Sequence, residues 1–422
     1  MKRLFAVIVI LLSTLPLLAK PGRIVRAVEP VKDSYIVVLR DDDPRRPADR
    51  AAELARRHGA AVVVVWDDAL RGFSARMTEA QALAMTHNPF VDFIEEDAVV
   101  ETIGSQTVDS FRWGLDRIDQ HNLPLDLTYN YCEDGTGVNI YVVDTGVWYL
   151  HTEFDPYSGI GNRVESGMDF IECPSGCTGH ADNPCRAELN EGKAVTSHGT
   201  AVASVAAGLT DGVAKNATII PVRAINCFGS GTTTQILSGI NWVRSHHVAG
   251  APAVMNCSFR KIVSNDPDAA DAIDLAVERT MDDGVVVVAG AGNENKSASS
   301  ASPARVVRIM TVGGSTRLDQ RWVDNSTVGS NYGSKVDLFA PASGIQSADL
   351  ESADRQVRNK GTSMAAPFVS GVAALYLQNH PAATPEEVIA WIKSVATTGV
   401  LDATTLGVGS PNSLLYSASC DY

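Results

Sequence analysis

Apolar and polar positions divide the chain into a small N-terminal unit and a larger C-terminal unit. The first unit contains two groups in which strand-like runs flank an amphipathic helical stretch, which is typical of a compact α+β unit. The predicted helices are PADRAAELARRHG, ending at Gly59, and TEAQALAMTHNP, with Thr78 as its N-cap. The predicted strands are SYIVVL (34–39), AVVVVW (61–66), GFSARM (72–77) and VDFIEED (91–97).

The stretch from Val99 to Phe111 has little helical pattern, so it is predicted to be a linker. The unit that follows alternates short apolar strands with helical stretches. This alternation predicts an α/β fold, with a doubly wound, mostly parallel sheet covered by helices on both faces. Its predicted strands are VNIYVVD (138–144), TIIPVRAI (218–225), AVMNCSF (253–259), VVVVAGAGN (285–293), IMTVGG (309–314) and VDLFAPA (336–342).

Composition and the N-terminus indicate an exported globular protein. A chain of 422 residues with 45% hydrophobic residues is long enough for a large core. The net charge of -14 argues against a general nucleic-acid binder, which needs a basic surface. Residues 1–19 resemble a signal peptide, with Lys2 and Arg3 before an apolar run that is too short to span a bilayer. We therefore expect a secreted or periplasmic location; an uncleaved anchor is the alternative.

Seven cysteines follow this segment. In an exported protein an odd number predicts up to three disulfides and one free thiol, and Cys257, inside an apolar strand, is the predicted free one. Zinc binding by Cys173, Cys177 and Cys185 with His180 is the alternative, but the spacing matches no compact metal pattern. The remaining cysteines are Cys132, Cys227 and Cys420.

Four polar residues lie where nucleophilic catalysis needs them. Ser363, in GTSMAAPFVSG, stands where a loop becomes an apolar helix, so free N–H groups lie near its hydroxyl. A serine nucleophile needs a histidine base and a carboxylate that orients the histidine. His198 in TSHGTAVAS and Asp144 at a strand end provide these types, and Asn293 provides an amide for an oxyanion. Each residue alone could be a cap or a turn residue, but together they indicate an acyl-transfer site.

These blocks resemble those of the subtilisin-like serine peptidases, in particular the proteinase K branch. VVDTGV, SHGTAVAS and GTSMAAPFVSG occur in the family's order of Asp, His and Ser. The resemblance implies a signal peptide over 1–19, an inhibitory and folding-assisting propeptide over 20–105, and a peptidase domain over 106–422, with the cut near Gly104 to Gln106. It also implies polypeptide substrates, inhibition by the protein's own propeptide, and a monomer.

The same resemblance implies two substrate edges and a pocket wall. In one edge, Ser258-Phe259-Arg260-Lys261 stands where the family usually has Ser-Leu-Gly-Gly. The long cations are expected to narrow the primary pocket or to favour acidic side chains. The implied substrate-binding residues are Gly229, Ser230, Gly231, Ser258, Phe259, Arg260, Gly290, Ala291 and Gly292.

A structural calcium site is implied at Asp337 with the carbonyls of Val307 and Ile309, although Asp337 could be only a turn residue. The resemblance also suggests a disulfide between Cys227 and Cys185 or a near neighbour. The segment from Cys173 to Val195 is longer than expected for the family, and the sequence does not decide between a stapled loop near the site and surface decoration.

These residues are compatible with three classes of function. The first is an exported serine endopeptidase. The second is a secreted pseudo-peptidase that acts as a binding module and retains its propeptide; Arg260 and Lys261 favour it and the complete triad opposes it. The third is an esterase of the α/β-hydrolase type, which needs a histidine after the serine, where only His380 is present.

Overall fold

A computed structural model describes residues 24–27, 30–102, 105–106, 112–154, 163–171, 181, 196–264 and 270–418. The predicted signal peptide, Cys420 and the three cysteines of the long segment lie outside these residues. Among the described residues, none of the helices has the length and apolar character that crossing a membrane requires.

Residues 24–102, called the leader unit below, form the predicted α+β unit. Its central strands pair antiparallel in the order β5-β2-β4-β3. The predicted helix ends are confirmed, since Gly59 adopts φ 70° after the first helix and Thr78 forms a capping box with Gln81. The elements are β1 (Ile24–Val25), β2 (Pro30–Leu39), α1 (Pro47–His58), β3 (Ala61–Trp66), β4 (Gly72–Arg76), α2 (Glu79–Met85) and β5 (Val91–Thr102).

A nine-stranded sheet forms the centre of the C-terminal unit. Its order is β19-β20-β16-β15-β13-β11-β7-β9-β8, and every neighbouring pair is parallel except β19 with β20. The predicted doubly wound sheet is therefore confirmed. Its strands are β7 (Asn139–Asp144), β8 (Met168–Asp169), β9 (Thr218–Arg223), β11 (Ala253–Cys257), β13 (Val285–Gly290), β15 (Met310–Ser315), β16 (Leu338–Pro341), β19 (Thr397–Thr398) and β20 (Ser413–Leu414).

Helices cover both faces of this sheet. One face packs against α4 and α7, and the other packs against α5 and α6. Ile36 and Phe93 of the leader unit belong to the second of these cores, so the leader sheet lies on α5 and α6. The helices are α3 (Trp113–Ile118), α4 (His198–Ala207), α5 (Thr233–His246), α6 (Ala272–Asp282), α7 (Thr362–Asn379) and α8 (Pro385–Val395).

The helices α4 and α7 approach each other closely. A Cβ at Gly371 of α7 would lie 2.8 Å from the carbonyl oxygen of Ala206 in α4 and 2.5 Å from the Cβ of Val213. Only glycine therefore fits at this crossing without a shift of backbone. The close packing matters for function because α4 begins at His198 and α7 begins next to Ser363.

The predicted linker is wrong in its first part. Strand β5 runs on to Thr102, and its last residues pair antiparallel with β10 (Ser230–Thr232) on one side and β12 (Phe259–Ile262) on the other. Further on, β6 (Ser105–Gln106) pairs with β18 (Gln356–Lys360), which pairs in turn with β17 (Ser343–Ala348). The short β14 (Ala301–Ser302) pairs with β12. These partners lie far away in sequence, so local periodicity did not indicate a strand.

One predicted strand is divided in the structure. AVMNCSF was predicted to be continuous from 253 to 259, but β11 ends at Cys257 and β12 begins at Phe259. The break at Ser258 transfers the chain from the central parallel sheet to the edge that pairs with β5. Cys257 itself is buried and is the free cysteine among the described residues, as predicted. Burial raises the pKa of its thiol.

Candidate active site

An aspartate and a histidine meet at the carboxyl end of β7. The Nδ1 atom of His198 lies 2.8 Å from Oδ1 and 2.9 Å from Oδ2 of Asp144, and both side chains are buried. Asp144 is the last residue of β7, and His198 is the first residue of α4. A Cβ at Gly199 would lie 2.3 Å from the carbonyl oxygen of Gly146, so the sequence His-Gly is what permits α4 to start this close to the aspartate.

Ser363 is the second residue of α7 and is fully buried in this structure. The preceding Gly361 adopts φ 128°, a conformation that glycine reaches without strain. The hydroxyl of Ser363 donates to the carbonyl of Ser258 at 3.4 Å, and the hydroxyl of Ser258 donates to the carbonyl of Ser363 at 3.0 Å. The start of α7 is thus attached to the break between β11 and β12.

Asn293 lies beside the same helix start with a fixed amide orientation. Its Oδ1 accepts hydrogen bonds from the backbone N–H of Thr362 at 2.9 Å and from the hydroxyl of Thr362 at 3.1 Å. Because Oδ1 is used in this way, the network assigns the other amide atom, Nδ2, as the donor that faces away from Thr362. The hydroxyl of Thr362 also accepts from the N–H of Gly292 at 3.1 Å.

The two predicted substrate edges flank the end of the leader unit. On one side Ser230 is opposite Glu101 and Gly231 is opposite Val100. On the other side Phe259 is opposite Thr102 and Arg260 is opposite Glu101. Gly229 adopts φ 82° in the turn before β10. The predicted edges are therefore brought together around an extended peptide, which here is part of the same chain.

Arg260 joins one edge to the opposite wall of the cleft. Its Nε forms an ion pair with the carboxylate of Glu294, which follows Asn293. The other oxygen of Glu294 accepts from the N–H of Asn293 at 3.1 Å and from Nδ2 of Asn331 at 2.9 Å. The predicted wall residues Gly290, Ala291 and Gly292 are buried just before this point; at Gly292, φ is 105°.

Lys261, the second unusual cation, does not face a substrate. Its side chain is 3% exposed, and its ammonium group pairs with Asp271 at 2.9 Å and with Glu95 of the leader unit. The expectation that both cations would act on substrate side chains is therefore not met for Lys261.

Several residues of the site were not recognised in the sequence. One of them is the buried Asn256, whose Nδ2 donates to the hydroxyl of Ser258 at 2.9 Å and whose Oδ1 accepts from the hydroxyl of Ser370 at 2.9 Å. A polar residue inside the apolar strand AVMNC was the available signal, because a buried amide needs partners. Thr362 and Glu294 carried no such signal, since both have ordinary surface alternatives.

The residues of the implied calcium site precede β15 and β16, which are neighbouring strands of the sheet. The carboxylate of Asp337, however, already has partners. Its Oδ2 accepts from the N–H of Thr311 at 2.9 Å, and its Oδ1 accepts from the ammonium group of Lys393 at 2.6 Å. Val307 is exposed, and Ile309 is buried just before β15. Among the described residues, no cluster of three or more His, Cys, Asp or Glu side chains could hold a metal ion.

Family comparisons agree with this geometry. Residues 135–412 match the model of the subtilase family, Peptidase S8, and residues 34–103 match that of the peptidase inhibitor I9 family. The second match covers most of the leader unit, including the part of β5 that lies in the cleft. The esterase alternative is wrong, because this family fold has the chain order Asp, His, Ser.

Similar proteins are proteinases. An extracellular serine proteinase from Thermus sp. (strain Rt41A) is 37% identical over 410 residues, covering 93% of this chain and 91% of that protein. The alkaline serine exoprotease A of Vibrio alginolyticus is 38% identical over 402 residues, covering 92% of this chain and 68% of that protein.

A solved structure supports the same assignment. The crystal structure of a cold adapted subtilisin-like serine proteinase is 42% identical, with a TM-score of 0.60, and covers 72% of this chain and 97% of that one. The family models together account for both units of the fold. The chain belongs to the subtilase family of serine proteinases and carries an I9 inhibitor unit in front of its peptidase unit.

Proposed function

We propose that this protein is an exported serine endopeptidase that is made as a self-processed zymogen. In this proposal Ser363 attacks the peptide carbonyl, His198 first accepts and then donates the proton, and Asp144 orients the histidine. The observation that carries the proposal is the buried contact of both Asp144 carboxylate oxygens with Nδ1 of His198. This contact places the proton on Nδ1 and leaves Nε2 as the basic nitrogen.

Asn293 and the N–H of Ser363 are proposed to hold the oxyanion. Ser363 is among the first residues of α7, whose N–H groups have no carbonyl partner within the helix. The amide of Asn293 is held by Thr362 with Nδ2 available as donor. Donors that are fixed before reaction stabilise the negative charge of the tetrahedral intermediate without reorganising.

Maturation is proposed to occur where the chain passes the candidate nucleophile. Thr102 pairs with β12, while Ser105 pairs with Lys360 of β18, three residues before Ser363. The bonds that follow Thr102, up to Gln106, are therefore the candidates for self-cleavage. We propose the cut near Gly104 to Gln106, where a small residue, Gly104 or Ser105, precedes the cleaved bond.

This stretch contains the boundary that the sequence suggests between residues 105 and 106. The released inhibitor unit is then proposed to be 20–105 and the peptidase unit 106–422. We further propose polypeptide substrates, a monomeric enzyme, no nucleic-acid partner, and export to the cell exterior or periplasm. The extracellular relative supports export. Disulfides at Cys132 and Cys227 belong to the same proposal and are supported by the bonded state of both sulfurs.

Arg260 is proposed to limit the side chain that precedes the cleaved bond. That residue must place its N–H near the carbonyl of Ser258 and its carbonyl oxygen near Asn293. Its side chain then enters the space between β12 and the segment after β13, which the ion pair of Arg260 with Glu294 spans. A small side chain fits this space best, so we propose a preference for small residues at this position.

Calcium binding at Asp337 is also proposed, with the carbonyls of Val307 and Ile309. One carboxylate and two carbonyl oxygens are the donor types that a hard cation prefers, and in this structure the ammonium group of Lys393 binds the carboxylate. When bound, calcium would replace this ammonium group and connect the start of β15 to the start of β16.

Replacing Ser363 with Ala is expected to abolish self-cleavage and peptide hydrolysis, because it removes the hydroxyl that attacks the peptide carbonyl, and the neighbouring hydroxyl of Thr362 is held by Asn293. The measurement is the intact mass and N-terminal sequence of the secreted protein. The unchanged chain should begin near Gln106, and the variant should keep its leader unit. A wild-type chain that also stays uncut would favour the pseudo-peptidase alternative, and a variant that is cut would contradict the assignment of Ser363.

Replacing Thr362 with Val should lower kcat about tenfold and leave KM nearly unchanged. The variant removes one hydrogen bond that orients Asn293, while the backbone N–H still holds the amide. Steady-state kinetics on one peptide substrate test this, with Asn293→Ala as the reference, for which a loss of about 10²–10³ in kcat is expected. Equal kcat in the Val variant and the wild type would mean that the hydroxyl does not position the donor.

Replacing Arg260 with Gly should broaden the specificity. Peptides with Phe or Leu before the cleaved bond should gain about tenfold in kcat/KM relative to the matched Ala peptide, because the space behind β12 opens. Each enzyme provides its own control through this ratio. Glu294→Gln, which keeps the volume but weakens the ion pair, should change the ratio less. An unchanged ratio in Arg260→Gly would contradict the role of the ion pair.

Calcium should raise the Tm of the Ser363→Ala chain, which cannot digest itself, by roughly 2 °C or more. Asp337→Asn in the same background should remove this response. Lys393→Ala should increase it, because the competing ammonium group is gone. A response that survives in Asp337→Asn would place the calcium elsewhere.

A further inference from the structure

Lys261 is a buried cation with an unusual combination of partners. It lies in β12, its side chain is 3% exposed, and its ammonium group contacts two carboxylates, those of Asp271 and Glu95. Asp271 belongs to the peptidase unit, whereas Glu95 belongs to β5 of the leader unit. A buried ammonium group is costly unless it is paired, so its partners in the two units have consequences for how they associate.

Both carboxylate oxygens of Glu95 have a partner in the peptidase unit. Its carboxylate is fully buried, and Oε2 accepts a hydrogen bond from the N–H of Ala272 at 2.7 Å. Ala272 is the first residue of α6, a helix of 11 residues whose dipole also favours an anion at this end. Helix start and ammonium group therefore bind the same carboxylate from two directions.

The remaining charged groups around Lys261 come from β12, α6 and the turn after β14. Asp271 caps α6 through the N–H of Ile273 at 2.9 Å. Burial alone would raise the pKa of Asp271, but the charge and hydrogen bond of Lys261 hold it below its usual value. Asp274 pairs with Nε of Arg305 at 2.5 Å, and burial and the charge of Asp271 raise its pKa to about 7.

Without the leader unit this cluster holds two cations and two carboxylates. Lys261 then has Asp271, and Arg305 has Asp274. Docking adds one carboxylate, that of Glu95, at a place where the Lys261 ammonium group pairs with it and the Ala272 N–H donates to it. A neutral residue at position 95 would leave part of the Lys261 charge without a partner in a dry interface, and a residue without an acceptor atom would also leave the Ala272 N–H unpaired.

We propose that Lys261 and the Ala272 amide form a recognition site for one buried carboxylate, by which the peptidase unit selects its own leader. The partner that fits this surface is an inhibitor domain of the I9 type whose last strand carries an acid at the position of Glu95. Inhibitor domains with a neutral residue there bind weakly. The inference rests on the proposed zymogen function, because it concerns how the cleaved leader is retained.

The experiment is a double-mutant cycle on the full chain with Glu95→Gln and Lys261→Met. After self-cleavage, the complex is diluted, and leader release is followed as the rise in peptide hydrolysis. Glu95→Gln alone should release the leader about 10- to 100-fold faster than the wild type. In the Lys261→Met background, where Glu95 and Asp271 have lost their shared cation, the same Glu95→Gln change should instead slow release.

This reversal of sign separates recognition from simple packing. If Glu95 only fills space, Glu95→Gln will act in the same direction in both backgrounds, and the proposal is overturned. The matched control is Asp41→Asn, since Asp41 pairs with Arg279 across the same interface but its side chain is 73% exposed. Its release rate should stay within about threefold of the wild type, because exposed pairs contribute little.

A second arm does not depend on peptidase activity. The same four chains in the Ser363→Ala background remain uncut, and amide hydrogen exchange of residues 93–97 reports how firmly β5 is docked. Glu95→Gln alone should speed the exchange of these amides, and the same change in the Lys261→Met background should slow it. If the wild type lacks hydrolysis but this cycle holds, the proposed function fails and the recognition site stands; if hydrolysis is present and the cycle is additive, the recognition site fails alone.

Poor recovery of a variant is itself informative. If Lys261→Met fails to accumulate but the double variant accumulates, the loss comes from an uncompensated Glu95 carboxylate, which supports the proposal. If neither accumulates and Glu95→Gln alone exchanges and releases like the wild type, Lys261 has a structural role only, and the proposal is overturned.

Discussion

The antiparallel pairing of β5 with both β10 and β12 is the constraint on which the rest of the molecule depends. The first part of β5 is a central strand of the leader sheet, and its last residues fill the cleft between two open strand edges. Open edges readily pair with any extended chain, which is how a protease of this type holds a substrate. One strand thus makes the leader both a folded unit and an occupant of the cleft.

Residues whose interactions are local could be predicted from the sequence, whereas residues whose partners lie far away in the chain could not. The sequence predicted the candidate triad of Asp144, His198 and Ser363. Each of these residues lies where a strand or a helix begins or ends, and the neighbouring residues indicate such boundaries. The end of β5 has no local strand pattern, because its hydrogen-bond partners lie in strands more than a hundred residues further on. The buried ion pair of Lys261 could not be predicted for the same reason, since its partner Glu95 belongs to the leader unit.

Two long cations in a substrate-edge strand looked like features of the substrate pocket, but the structure gives them different surroundings. Arg260 stays at the cleft, where Glu294 fixes it against the segment that carries Asn293. Lys261, one residue further, turns to the opposite side of β12, as the alternation of side chains along a strand requires. Adjacent residues of one strand thus have different partners, one at the cleft and one in the leader unit. Their charge alone could not distinguish these two environments.

The proposed cleavage would leave a leader that makes more contacts with the peptidase unit than a substrate does, and these contacts would retain it. A peptide substrate can use the two edges, whereas the leader also places Ile36, Phe93 and Trp66 on α5 and α6. The core that leader residues form among themselves is small, so docking covers an apolar face that the leader cannot bury alone. A leader that is displaced loses this cover and is expected to unfold, and an unfolded leader is a substrate. The proposed inhibition and its irreversible end would therefore depend on the same apolar contacts.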